Sequence, residues 1–573
     1  RSTPSNSSAA SDVYKRQKIL LAGFAAMAIS FVSCTNDFES ANANPNELNE
    51  INPEYLFNTS SYYTLNAFCG SMKKVLLANY SHYYGGATGG QVQRYGNQGS
   101  TNDLYWKNVY NYAIFPVHFI QTQMENDEQY HNRVLIAKIW ENYLFSQAVS
   151  IWGGIPKSQA FNAGERVPYD KESDIYYAML NDLKACADGL KMDGDVYKAD
   201  PIFPSGQKSS DLLKWKKFAN SLRLRLAVRI CNADRSKATE VIDELMENEQ
   251  NLMTSNEDNC LLQWGDNADT RNYFYDYLVI NRESNLDKLH AAGESILMYM
   301  APYADPRLEK FFTPANAASM PDNFHWAPYW GQPKVSNLPS GVSLSPNPHS
   351  GKTADDYSQL QDKFTEQSYA EVIMNYAEVC LLKSELVHKG LGSGSQTAEA
   401  YYNAGVNASM AQYGVDGGKV NNYLQTPGIK WNTLTDLTVT EEGEDYYKDF
   451  IGIVSSAITS DEPDPIYRQI IMQQYIAMFY QSLDAWTLIR RSQVLEFPPH
   501  FQPETGYGAV NAGTKDNPYA YIPQRLVYPD SEKTNNEYEL TKGIANLDGG
   551  QDAMSTKLWF ALPTKTNPYL TNN

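Results

Sequence analysis

The chain has 573 residues, enough for one large domain or several small ones. Its 66 acidic side chains against 47 basic ones give a formal charge of −19, with no basic stripe to offset that field, which excludes nucleic acid as a partner. Six cysteines without a CxxC spacing imply no disulfide framework.

In chain order, residues 1–17 end in "SDVYKRQ" and read as a sequencing or assembly artefact, set aside from the fold. Residues 18–33 read as an export signal: Lys15, Arg16 and Lys18 head an apolar run, "ILLAGFAAMAISFV", which is too short to span a bilayer. Ser33 and Cys34 close that run as a lipoprotein box does, so Cys34 is expected to carry lipid and become the mature N-terminus. Residues 34–52, polar and rich in Asn and Glu, read as a flexible tether. Everything from 53 to 573 is expected to form a single helical domain.

Within it, helical periodicity recurs. "VLIAKIWENYLFSQAVSIWG" places Leu135, Ile139, Tyr143, Ala148 and Ile151 near helical spacing and stops at Gly153, Gly154 and Pro156. "SDLLKWKKFANSLRLRLAVRIC" carries Leu212, Trp215, Phe218, Leu222, Leu226 and Ile230, with Ser210 as its expected N-cap. "RSKATEVIDELMEN" follows as its partner. "FTEQSYAEVIMNYAEVCLLKSELVHKG" with "QTAEAYYNAGVNASMAQYG" reads as a second helix–loop–helix, and "IYRQIIMQQYIAMFYQSLDAWTLIRRS" as a third. Recurring antiparallel helix pairs predict a mostly α hairpin solenoid, although no strict repeat period is present. Cys231 and Cys380 fall inside apolar helical patterns and are expected to pack as small hydrophobes.

Three long irregular stretches interrupt the pairs: Thr313 to Thr365, Val415 to Pro463 and Phe497 to Lys533. Long loops inside a domain are functional or disordered, and Trp326, Trp330 and Trp431 argue for order here. Tyr outnumbers Phe by 41 to 21, which suits wet recognition surfaces as well as core edges. Catalytic signatures are missing: no HExxH, GxSxG, GxxxxGK[ST] or GxGxxG is present, and the eight histidines form no helical metal-ligand pair. "EEGED" and "TSDEPDP" lack the spacing of a calcium loop. No catalytic residue, metal site or cofactor is therefore expected.

Several segments, in order, resemble signatures of the SusD/RagB family: "LLKWKKFANSLRLRLAVRI", "YADPRLEKFF", "YAEVIMNYAEVCLLKSEL", "QQYIAMFYQSLDAWTLIRRS" and "IPQRLVYPDSEKTNNEYEL". "WGGIP" and "ANPNELNEINPEYLF" fit as well, and the Pro523 to Pro529 motif is similar to that of the SusD-like branch. The resemblance spans Cys34 to Asn573. It implies tetratricopeptide-like helix pairs with long inserted loops and little β structure. It further implies a non-catalytic, lipid-anchored outer-membrane protein facing the extracellular side. Such a protein captures oligosaccharides, or in some branches peptides, for a SusC-like TonB-dependent barrel transporter. The competing expectations are a surface-anchored glycan hydrolase with its carboxylates in the loops, and a protein-interaction scaffold. Asp37 and Glu39 after Cys34 match the surface-export signal of such lipoproteins only in part.

The family's ligand contacts share no motif, so the site must be sought in the residues themselves. The loop "NFHWAPYWGQPKVSN" holds Phe324, Trp326, Tyr329 and Trp330 with no helical period, a candidate surface for stacking on the apolar face of sugar rings. The competing expectation is that these rings are buried plugs that pin the loop. A second candidate is "YYGGATGGQVQRYGNQ", with Tyr83, Tyr84, Arg94 and Tyr95 among glycines that permit close backbone approach.

Overall fold

The computed structural model describes residues 52–63, 77–85, 99–162, 166–268, 270–280, 291–322, 324, 326–332, 351–433, 464–495 and 522–561. The expectations for residues 1–17, the signal 18–33, Cys34, most of the tether, Arg94 and Tyr95 lie outside them. So do those for "EEGED" and most of "TSDEPDP".

Helices dominate: α1 (Pro53–Tyr63), α2 (Phe115–Met124), α3 (His131–Trp152), α4 (Glu172–Gly189), α5 (Lys208–Ile230), α6 (Arg235–Glu247), α7 (Tyr376–His388), α8 (Ala398–Gln412), α9 (Pro465–Ala477) and α10 (Ser482–Ser492). Successive helices pack in pairs: α2 on α3, α3 on α4, α4 on α5, α5 on α6, α7 on α8, and α7 again on α9. One hydrophobic core runs through them all, from Phe57 to Ala561. Helix α3 is buried nearly all round from Ile136 to Trp152, as expected of a helix with apolar and small residues on every face. Helix α6 buries only one stripe, Ala238, Val241, Ile242, Leu245 and Met246, and closes the outside. No helix among the described residues is long and apolar enough to cross a membrane. The four described cysteines, Cys186, Cys231, Cys260 and Cys380, are free thiols.

Two local expectations are corrected. Helix α5 begins at Lys208 with Gln207 in the N-cap position, so Ser210 lies in the first turn; there Asp211 is already engaged by the Ser205 hydroxyl, which fixes an earlier entry. The segment expected to be helical from Phe364 onward is not helical at "EVIM". Glu371–Met374 (β2) pairs antiparallel with Cys260–Leu262 (β1), and the helix starts only after Asn375, whose side chain accepts from Glu378 N at 2.8 Å. All four residues of β2 are buried, so pairing and burial override the helical pattern.

The C-terminal motif has a clear mechanical role. Gly153 ends α3 at φ +87°, a conformation that glycine adopts without strain. The freed carbonyls then receive the motif: Arg525 Nε and Nη2 donate to Trp152 O at 3.1 and 2.8 Å, and the Tyr528 hydroxyl donates to Gly154 O at 2.6 Å. "WGGIP" and "PQRLVYP" are two halves of one joint.

Charges deep in the core hold the pairs in register. Arg225 on α5 meets Glu378 on α7 through two bonds of 2.6 Å. Arg491 on α10 meets Glu385 on α7 at 2.6 and 2.8 Å. Arg307 is gripped by Asp305 and by Gln473 of α9, at 2.7 and 2.8 Å. Burial alone would raise the Glu385 carboxyl, but Arg491 and Lys389 outweigh it and pull it down to about 2. A carboxyl lowered from its ordinary 4.5 contributes stability that is complete above that value and lost as pH falls towards 2. Replacing Glu385 by Ala leaves Arg491 buried without its partner, an expected cost of about 3–5 kcal/mol. Denaturant unfolding at neutral pH measures that loss, and between pH 4.5 and 2 the variant should show a shallower fall in stability than the parent chain.

Candidate functional site

Both sequence-predicted loops converge on one backbone segment, Ala291 to Glu294. On one side Tyr84 bridges Ala292, with Gly293 N donating to Tyr83 O at 2.9 Å and Gly85 N to Ala291 O at 3.2 Å. On the other side Gln332 N donates to Ala292 O at 2.7 Å and Glu294 N to Gln332 O at 3.1 Å. A third strand-like run joins through Ala292 N to Ser358 O and Ser358 N to Trp330 O, at 2.8 and 2.9 Å. The result is a small irregular β layer on the helical frame. Gly85 makes its closure possible, because a Cβ there would stand 2.4 Å from Gln332. That glycine serves the approach of backbone to backbone, where the sequence had suggested approach to a ligand.

From this layer rises the aromatic loop. Ala315 N holds Pro328 O at 2.8 Å, Ala327 N holds Phe324 O at 3.1 Å, and Tyr329 N holds Trp326 O at 2.9 Å. Below, Trp330 is fully buried with Ala291, Ala315 and Tyr357, its ring 4.6 Å from that of Tyr357. Lys352 covers it, with Nζ 5.9 Å from the ring centre. At the crest Ala327 and Pro328 are exposed, and Phe324 and Tyr329 are half-buried. Trp326, 9% exposed, lies between these levels, its ring 6.0 Å from Phe324. Burial and the nearby charge of Glu309 raise the Tyr329 phenol, so its hydroxyl stays protonated and can both donate and accept.

The structure therefore divides the expected site residues. Trp330, Tyr83 and Tyr84 are corrected from ligand contacts to buried supports: Tyr83 donates to Tyr475 O at 2.6 Å and stacks on that residue's ring at 4.9 Å, while Tyr84 packs edge-on against Phe479. The physical reason is that an irregular layer without long strands needs large rings to fill the space beneath it. Phe324 and Tyr329 remain half-buried at the crest, while Trp326 belongs to the buried core beneath them. Sequence reasoning missed Tyr357, the ring under Trp330, and Glu309, the charge beside Tyr329. Tyr357 sits in no motif, and only the chain's return at 351–360 brings it into place. Glu309 lies in the "YADPRLEKFF" signature, which says nothing of its nearness to Tyr329.

What this fold and this loop belong to emerges from comparison. A family model described as "Starch-binding associating with outer membrane" matches residues 45–529. The chain belongs to the SusD-like family. Its members are non-catalytic glycan-binding proteins of the outer membrane. Solved structures share the architecture. A SusD homolog from Bacteroides uniformis is 23% identical, with 88% of this chain and 99% of that one covered at a TM-score of 0.67. A SusD-like protein from Bacteroides thetaiotaomicron is 22% identical over 90% and 99%, with a TM-score of 0.64. A chitin-binding SusD homolog from Flavobacterium johnsoniae is 19% identical over 89% and 99%, with a TM-score of 0.69. No curated protein matches the chain. The SusD-like frame accounts for the recurrent helix pairs, which are tetratricopeptide-like.

The two levels of the loop should separate in a melt. Trp330→Ala is expected to cost about 3–5 kcal/mol, as for any buried Trp truncation, whereas Tyr329→Ala should cost about 1 kcal/mol or less. Thermal unfolding of the two variants beside the parent checks this ordering.

Proposed function

We propose that this protein is a surface capture protein for oligosaccharides, which it holds on the aromatic loop and passes to a SusC-like TonB-dependent barrel. The carrying observation is the loop crest. Phe324 and Tyr329 are half-buried there, beside exposed Ala327 and Pro328 and over the buried ring of Trp326, on a base fixed by backbone hydrogen bonds. A sugar ring therefore meets a platform whose ordering cost is already met by folding. Aromatic faces take the C–H side of a pyranose, and the protonated Tyr329 hydroxyl takes one of its hydroxyls. Arg94 and Tyr95, in the same glycine-rich segment of the sequence as Tyr84 and Gly85, belong to the same proposal. A glycan ligand also accords with the chitin-binding relative, and a hydroxyl-rich neutral ligand meets no long-range repulsion from a chain of charge −19.

In this reading Cys34 carries lipid and holds the protein to the outer membrane on its extracellular side, with residues 34–52 as the tether. The barrel contact is of the size of obligate interfaces, above about 2,000 Å². No catalysis is involved.

Calorimetric titration with chito-oligosaccharides and malto-oligosaccharides tests the site. The double variant Phe324→Ala, Tyr329→Ala should weaken binding at least about tenfold, equal to 1.4 kcal/mol, while its melting temperature stays close to the parent's. Unchanged affinity would remove the aromatic loop from the proposal. Cys34→Ala should leave precursor in the inner membrane or release soluble protein, and detergent-phase partitioning distinguishes it from the parent. Mild solubilisation of outer membranes should recover a TonB-dependent protein in near-equal amount; recovery of the lipoprotein alone would count against the transporter.

A further inference from the structure

A cavity of about 20 Å³ lies beside the core charge network, where Arg225, Arg229, Glu378, Gln474, Asp484 and Arg491 form one part of the wall and Leu382, Met478 and Leu488 an apolar part, all of them buried. Three polar atoms there lack a hydrogen-bond partner among the described residues: Asp484 Oδ2, Gln474 Oε1 and Arg225 Nη1. Arg225 Nη1 does stand 3.3 Å from Asp484 Oδ1, but without the alignment of a hydrogen bond. The Gln474 amide is not free to turn over. Its Nε2 donates to Glu385 Oε2 at 3.1 Å, and reversal would set an oxygen against that carboxylate. Asp484 is thinly served as well, since Oδ1 accepts only from Gln147 Nε2 and Arg229 Nη2, each at 3.4 Å.

We propose that this cavity binds one ordered water molecule, which donates to Asp484 Oδ2 and Gln474 Oε1 and accepts from Arg225 Nη1. The stoichiometry of the three atoms selects the ligand. Set beside a halide or an alkali cation, water is the species that offers two donors together with an acceptor. A halide would face the Asp484 carboxylate and the Gln474 carbonyl oxygen, and an alkali cation would face the Arg225 guanidinium with Arg229 and Arg491 behind it. Volume agrees, because one water needs about 10–15 Å³ of such space and two to four polar partners. The three partners come from three helices: α5 from one hairpin, and α9 and α10, the two arms of another. One molecule thereby adds a link between α5 and the α9–α10 hairpin beside the direct Arg229–Asp484 contact, as a structural constituent of the fold independent of the glycan site.

A crystal structure of the protein at about 1.5 Å resolution tests the assignment. The expected result is a single density peak about 2.6–3.2 Å from all three atoms, with no anomalous signal after soaking in bromide or in rubidium. A cavity without density overturns the proposal, and an anomalous peak replaces water by an ion. Gln474→Leu removes one acceptor and intrudes on the space; its crystals should lose the peak, and its melting temperature should fall by several degrees. A full-occupancy peak in that variant would overturn the role given to Gln474. If the variant does not fold, density in the parent protein decides alone.

Discussion

The fold rests on the requirement that charge buried in a low-dielectric interior be paired. Arginine cannot shed its proton there, so Arg225, Arg307 and Arg491 each demand a carboxylate at hydrogen-bonding distance. Glu378 and Glu385 lie two turns apart on one helix, and each reaches an arginine on a different neighbour. Sliding α7 by a single residue against either neighbour would open the pair it makes with that neighbour. Apolar packing tolerates small changes of register far better, because dispersion and the hydrophobic effect are non-directional. The pairs therefore act as pins that set which helix faces which, at some expense in desolvation.

With the helices pinned, the irregular layer gains a fixed floor. Tyr83 reaches from that layer into α9 through the Tyr475 carbonyl, and the Tyr475 hydroxyl returns the bond to Ser81 O at 2.8 Å. Tyr480, at φ +76° in the turn between α9 and α10, donates to Phe364 O at 2.9 Å, and Phe364 and Phe479 pack edge to face nearby. The aromatic loop thus stands on rings that are held by helices, which are in turn held by charges. This succession explains how a loop rich in proline and tryptophan can present a defined surface without regular secondary structure of its own.

Such an arrangement suits a binding protein better than an enzyme. Sugar recognition by stacking needs area and rigidity, and it needs few titrating groups. Two of the buried acids, Glu385 and Glu378, are committed to arginines inside the core.

The sequence by itself determined the helical class and the positions of most helices. Periodic apolar residues such as Leu212, Trp215, Phe218 and Leu222 must share a face, whatever surrounds them. It also marked the loops, since Gly153–Gly154 and the proline-rich stretch after Thr313 cannot continue a helix. The tertiary structure decided what local pattern cannot express. "EVIM" became a strand because β1, more than a hundred residues earlier, offered it a pairing edge in a buried place. Trp330 and Trp326 have the same residue type, four positions apart in one irregular loop, yet one fills the floor and the other lies nearer the crest. Ring identity records only that a large apolar group is wanted. Which side of a non-periodic backbone it occupies depends on chain returning from far away, here Tyr357 and Ala291, and neither has a sequence signal pointing to Trp330.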